Sequence, residues 1–223
     1  ETVGQGVLGA GDKPGLVEAS LLQRQRLYPW GAQSVIFLNN HDTNRVMSVI
    51  GGDGAQARLA ATLLFTLPGT PLVYYGEEIG MAGVKGDGNP YWYAGESGPG
   101  MCTWFRPADR NNRPGDGISV EEQQADASSL LAHYRRLIAL RSAYPALRTP
   151  GHERVTVTSG GEQVYAFLRQ DARDHLLVVL NFSPEAVRAT LDLGASSLPA
   201  GPWRATDLVS GAAYPALTDG TYS

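Results

Sequence analysis

A single cysteine, Cys102, occurs in the 223 residues, which excludes an internal disulfide framework and a metal cluster built from cysteines. Basic charge is also in short supply. The 18 Lys and Arg face 22 Asp and Glu, for a formal net charge of −4, and the absence of basic clusters argues against nucleic acid or an anionic membrane surface as partner. No apolar run approaches the roughly 18 residues of a membrane-spanning helix. The first residues, ETVGQGVLGAGDKPG, lack the basic-then-apolar order of a secretory signal, and the compartment stays unknown. There is no internal repeat and no low-complexity tail.

What is present is turn chemistry and a core. With 27 Gly and 14 Pro the chain is rich in loops, and 43% hydrophobic residues suffice for one large core or two domains. The pattern changes character near residue 150. Before it, Leu16–Tyr28 has helical spacing and stops at Pro29, Ser34–Leu38 is a short apolar strand, and Gln56–Leu67 is an apolar helix stopped by Pro68 and Gly69. Pro71–Tyr75 is a second apolar strand. A polar loop runs from Met81 to about Ser119, and Ala125–Ser142 is an amphipathic helix with Leu130, Tyr134, Leu137 and Ile138 on one face. Apolar strands alternating with helices predict a parallel α/β arrangement.

After Pro150 and Gly151 the period becomes two. Arg154–Thr158, Gln163–Arg169, His175–Asn181, Val187–Leu193 and Trp203–Asp207 read as strands without intervening helices, which predicts an antiparallel β domain, a sandwich. The expected domains are therefore 1–150 and 151–223. Two strands make too small a sheet for an independent α/β domain, so the first part is expected to complete a sheet elsewhere or to be a piece of something larger.

The stretch FLNNHD, residues 37–42, crowds polar groups at the end of an apolar strand. An imidazole beside a carboxylate there points to chemistry, and a polar cap on a strand terminus is the plain alternative. Glu77 and Glu78 invite a reading as paired carboxylates, but neighbours in an extended segment point to opposite sides, so an anchoring role is expected. Arg45 is expected to hold Asp42 or a loop rather than to line the site, His133 to be a helix residue rather than a ligand, and Cys102 to be a packing residue. Tyr91, Trp92, Tyr93 and Trp104 serve equally well as sugar-stacking faces or as loop anchors.

Three stretches together resemble the α-amylase family, glycoside hydrolase family 13. FLNNHD resembles the segment after the seventh barrel strand, GTPLVYYGEEIGM at 69–81 the eighth strand and its loop, and SVEEQQADASSLLAHYRRLIALRSAYPAL at 119–147 the final barrel helix. The resemblance implies a fold that is α/β plus all-β, the last part of a (β/α)8 barrel followed by an antiparallel β-sandwich. It implies a parent enzyme acting on α-glucan oligosaccharides or polysaccharides. Active sites of such barrels lie at the C-terminal ends of the strands, where His41 and Asp42 fall. Retaining glycosidases use two carboxyl groups about 5–5.5 Å apart, and a further carboxylate can stabilise developing positive charge. The resemblance gives that further role to Asp42 and makes His41 a donor to sugar hydroxyls. It also implies Asp87 as a sugar ligand, since Lys85 and Asp87 keep the spacing of the family's GxKPDExIRxPMxW pattern, although the pattern's Arg falls near Tyr91.

Neither the family's nucleophile motif, GFRxDAxxH, nor its acid/base glutamate has a counterpart in these residues. The chain is therefore expected to start after six of eight strands and to stop before the β domain is complete, with the remainder of the parent barrel as its partner. Alone it is expected to be inert. No cofactor is expected within this chain; calcium is implied for the parent, from residues N-terminal to it. The alternatives are a glucosyl transferase or isomerase of the same family, of the trehalose synthase or amylosucrase type, and a non-catalytic carbohydrate-binding or interaction relative.

Overall fold

A computed structural model describes residues 13–29, 32–85, 93–94, 115–199, 201–217 and 221–222. The chain packs into two compact units, one formed by Glu1–Gly11, Val35–Leu64 and Thr70–Leu137, the other by Asp12–Ser34, Phe65–Gly69 and Ile138–Ser223.

In the first unit, β1 (Val35–Ile36) pairs in parallel with β2 (Thr70–Pro71). The ladder extends by one bond, Leu72 N–H to the Ile36 carbonyl at 2.8 Å. The expected strand Pro71–Tyr75 is thus cut to its first residues. Beyond Leu72 the backbone leaves the ladder and enters a turn at Tyr75, while β1 itself bends away after Phe37. A short helix, α2 (Val46–Val49), leads to α3 (Gly54–Thr66), whose first turn is capped by Asp53 accepting from the N–H groups of Ala55 and Gln56. These bonds hold the Asp53 carboxyl below the usual carboxylate range. The loop expected from Met81 contains a small antiparallel pair, β3 (Val84–Lys85) with β4 (Tyr93–Ala94).

The expected helix Ala125–Ser142 begins later, as α5 (Leu130–Ala143), and a separate short helix, α4 (Val120–Gln123), precedes it. Polar side chains make the break. Ser119 Oγ caps α4, accepting from Glu122 N–H at 3.2 Å and donating to the Glu122 carboxylate at 2.9 Å; Asp126 accepts from Ser128 N–H, and Ser129 Oγ accepts from Ala132 N–H at 3.1 Å to start α5. Leu130, Tyr134 and Leu137 are buried as their spacing predicts, but Ile138 is 49% exposed. The inward stripe runs instead to Arg141. His133 Nε2 lies 3.1 Å from both Thr62 Oγ1 and the Arg58 carbonyl, a structural setting for that side chain.

The second unit's described residues open with α1 (Lys13–Leu27) and hold two antiparallel sheets. The larger has the order β11 (Thr221–Tyr222), β8 (Thr190–Asp192), β5 (Glu153–Ser159), β6 (Val164–Gln170), β7 (His175–Asn181). The smaller pairs β9 (Trp203–Thr206) with β10 (Ala213–Leu217). The expected strand Val187–Leu193 keeps only Thr190–Asp192, and β10 and β11 escaped sequence reading.

Strand β6 is buried from Val164 through Arg169, without the in–out alternation of a one-sided sheet. Ala166 and Leu168 join Val155, Leu191 and Leu193 in one apolar cluster. The alternate residues Tyr165 and Phe167 meet His152, with ring centroids 6.1 and 4.9 Å from the imidazole. Tyr165 donates its hydroxyl proton to Glu18 of α1 at 2.7 Å and lies 3.0 Å from His152 Nε2. Through Glu18, α1 thus meets the alternate residues of this strand.

Burial pushes the His152 imidazole down to about 4, so folding favours its neutral form. Stability is then lost as pH falls from the unfolded value near 6.5 towards 4 and levels off below it, on the order of 3 kcal/mol. Thermal melting between pH 7 and pH 4 is expected to show this loss in the wild type and to show less of it in His152→Gln, whose amide retains a donor towards Tyr165.

Candidate functional site

The site grows from the end of β1. Leu38 and Asn39 are almost fully buried, after which the chain must turn outward. Asn40 makes that turn: its side-chain Oδ1 accepts from Asp42 N–H at 3.0 Å, and Thr43 Oγ1 accepts from Asn40 N–H at 3.1 Å. The turn brings the side chains of His41 and Asp42 out to 62% and 59% exposure, with Nε2 and Oδ2 separated by 3.4 Å. Both predicted residues therefore stand together beyond the C-terminal end of a parallel strand, each more than half exposed.

Beneath this corner lies a polar layer that sequence reading found only in part. Glu77 and Glu78 sit in a 3-10 turn, Glu77–Ile79, rather than in an extended segment. The turn is bounded by Gly76 and Gly80, at φ 79° and 80°, a left-handed conformation that favours glycine. A Cβ at Gly76 would also meet Met81 Sδ at 2.2 Å. Glu77 is driven inward and is 2% exposed. There Asn39 Nδ2 donates to its Oε2, and the Tyr134 hydroxyl donates to its Oε1 at 2.8 Å. Burial, reinforced by Glu78 and opposed by Tyr134, Asn39 and Arg45, pushes the Glu77 carboxyl up to about 7.

Arg45, 1% exposed, braces the same region. Its Nη1 donates to the Tyr75 carbonyl at 2.6 Å, and its guanidinium lies 5.0 and 4.6 Å from the ring centroids of Tyr74 and Tyr75. The expectation that Arg45 holds a loop agrees with these contacts. Asn39 and Tyr134 were not singled out as site residues. The available signal was an asparagine pair directly behind an apolar strand, where a buried amide requires a partner.

Asp87, Tyr91, Trp92, Cys102 and Trp104 lie outside the described residues, and only the backbone of Tyr93 is described. Among the described residues no three His, Cys, Asp or Glu side chains come together to hold a metal ion. No helix among them is long and apolar enough to cross a membrane.

Two family models match the chain: "Alpha amylase, catalytic domain" over residues 18–150 and "Maltogenic Amylase, C-terminal domain" over 155–223. Alpha-amylase 3 of Dictyoglomus thermophilum is 35% identical over 152 residues, covering 66% of this chain and 30% of that protein. The amino acid transporter heavy chain SLC3A2 of Oryctolagus cuniculus is 38% identical over 172 residues, covering 74% of this chain and 29% of that protein. Among solved structures, the alpha-amylase from H. orenii superposes with a TM-score of 0.63 at 30% identity, covering 94% of this chain and 43% of that one. The chain thus spans about a third or less of the curated relatives named here.

Proposed function

The chain belongs to the α-amylase family of (β/α)8-barrel glycosidases with an all-β C-terminal domain, and from that premise we propose that it supplies the seventh and eighth strands of a retaining enzyme cleaving α-1,4-glucosidic bonds. The family is one of glucan-active enzymes; the particular bond and substrate are the proposal. Asp42 acts as the fixed carboxylate that stabilises the oxocarbenium-like transition state. His41 donates to hydroxyls of the sugar at the cleavage point, and Asp87 binds a neighbouring sugar. The observation that carries this reading is the His41–Asp42 pair, held exposed at the end of β1 with 3.4 Å between Nε2 and Oδ2. Calcium belongs to the proposal only through residues of the parent protein.

The nucleophile and the acid/base are supplied by other parts of the barrel, because these residues contain no counterpart of either. A lone third carboxylate offers no covalent route. The 223 residues by themselves are expected to release no reducing ends from starch or maltooligosaccharides, while the full-length protein does. Measurable hydrolysis by the chain alone would overturn the assignment of roles. The product profile of the full-length protein separates hydrolysis from glucosyl transfer, since transfer yields oligosaccharides longer than the substrate.

A second reading, a binding or interaction role on the same scaffold, draws on the match to a transporter heavy chain. The presence of both His41 and Asp42 in the strand-end motif favours the enzyme. A full-length protein that binds maltooligosaccharides without turnover would favour the binding role.

A further inference from the structure

We propose that Glu77 is the positioning residue of the His41–Asp42 corner: from the turn after β2 its carboxyl group grips the Asn39 amide and thereby sets where the next residues of the strand end stand. The inference rests on the reading of that corner as sugar-binding. Three observations converge on it. Asn39 immediately precedes the Asn40 turn that presents His41 and Asp42. It is 0% exposed, and its Nδ2 is spent on Glu77. Its Oδ1 is buried and meets no hydrogen-bond partner among the described residues, an arrangement that ordinarily costs about 1–3 kcal/mol.

That orphan oxygen has a use. With Glu77 ionised, both carboxylate oxygens accept, one from Asn39 Nδ2 and the other from the Tyr134 hydroxyl. With Glu77 protonated, Oε2 carries a hydrogen and would face the two hydrogens of the Asn39 amide. Turning the amide over removes that clash and gives the proton the Oδ1 acceptor it needs. One proton thus selects between two orientations of a side chain anchored two residues before His41.

The groups that face Glu77 set where this happens. Tyr134 on α5, Asn39 at the end of β1 and Arg45 before α2 favour the carboxylate, while burial and the adjacent Glu78 oppose it, leaving it near pH 7. Tyr134 is itself held well above its ordinary value by burial and by Glu77, so its hydroxyl stays a donor throughout.

The test uses the full-length protein with isotope-labelled histidine, the His41 ring signal being identified by its loss in His41→Gln. In the wild type that signal is expected to carry an inflection near pH 7 that reports the Glu77 carboxyl. Glu77→Gln should abolish the inflection, and Tyr134→Phe, which removes a donor to the carboxylate, should move it to higher pH. In the same Glu77→Gln protein kcat should fall by roughly tenfold or more with KM nearly unchanged, as a small misplacement of a reacting group predicts. A His41 signal indifferent to both substitutions overturns the inference, and Tyr134→Phe decides alone if Glu77→Gln does not fold. A protein without glucan turnover whose His41 signal still follows Glu77 would refute the proposed function and support this link. An active protein whose His41 signal ignores Glu77 would do the reverse.

Discussion

Asp42→Asn in the full-length protein should lower kcat on a maltooligosaccharide by about 10²–10³-fold, the usual cost of removing one preorganised electrostatic stabiliser, while leaving the melting temperature almost unchanged. The substitution keeps the size of the side chain and deletes only its charge. The turn that presents it survives, because Asn40 Oδ1 accepts from the backbone N–H of residue 42, which asparagine also provides. With 59% of its side chain exposed, the carboxylate sits in a high dielectric in the free protein and contributes little to folding. Its effect appears when a sugar excludes water and positive charge develops at the anomeric carbon. KM should therefore move much less than kcat, since the charge that Asp42 meets exists only at the transition state. Equal loss in kcat/KM and ground-state binding would instead make Asp42 a simple sugar ligand.

The largest expected loss of stability comes from Arg169→Met. Arg169 is 0% exposed. Its guanidinium donates to four carbonyls, those of Thr66 at 2.6 Å, Ala146 at 3.3 Å, Leu147 at 3.2 Å and Thr149. Thr66 ends α3, and the carbonyls just around it, of Phe65, Leu67 and Gly69, are taken by Arg141. Arg24 donates to the Pro68 carbonyl. Three arginines thus satisfy the orphan acceptors where Pro68 and Gly69 stop the helix, at the negative end of its dipole. Burial, followed by repulsion from Arg141, lowers the Arg169 guanidinium to about 10, so it remains charged at neutral pH.

Methionine fills much of the same volume but leaves those carbonyls buried and unpaired. At about 1–3 kcal/mol for each group that water cannot reach, discounted for relaxation, the loss should be about 4 kcal/mol. Urea or thermal unfolding of the full-length protein measures it. Arg169→Lys should recover only part of the loss, because an ammonium cannot span four acceptors with a fork. Full stability in the methionine variant would show that the carbonyls find other donors and that the arginine is dispensable.

Much of the architecture is legible in the order of the residues. Helix α1 ends where Pro29 requires, α3 ends where Pro68 and Gly69 require, and the change of period after residue 150 marks the antiparallel strands. The motif FLNNHD locates the corner. Boundaries shift where local polar groups compete with the pattern, as at Asp126 and Ser129, or where a turn begins early, as at Tyr75.

By itself, then, the sequence determined most of the helices and the longer strands, which family they belong to, and that His41 and Asp42 stand at a strand end. These follow from local signals: periodicity, stop residues and contiguous motifs. Only the tertiary structure decided which polar residues go inside. Glu77 meets Asn39 across 38 positions and Tyr134 across 57, and Arg169 reaches Thr66 across 103. A charge reads the same in sequence whether it faces water or a buried amide. Its fate depends on what other segments bring to it, because a buried polar group is tolerated only where distant partners satisfy it.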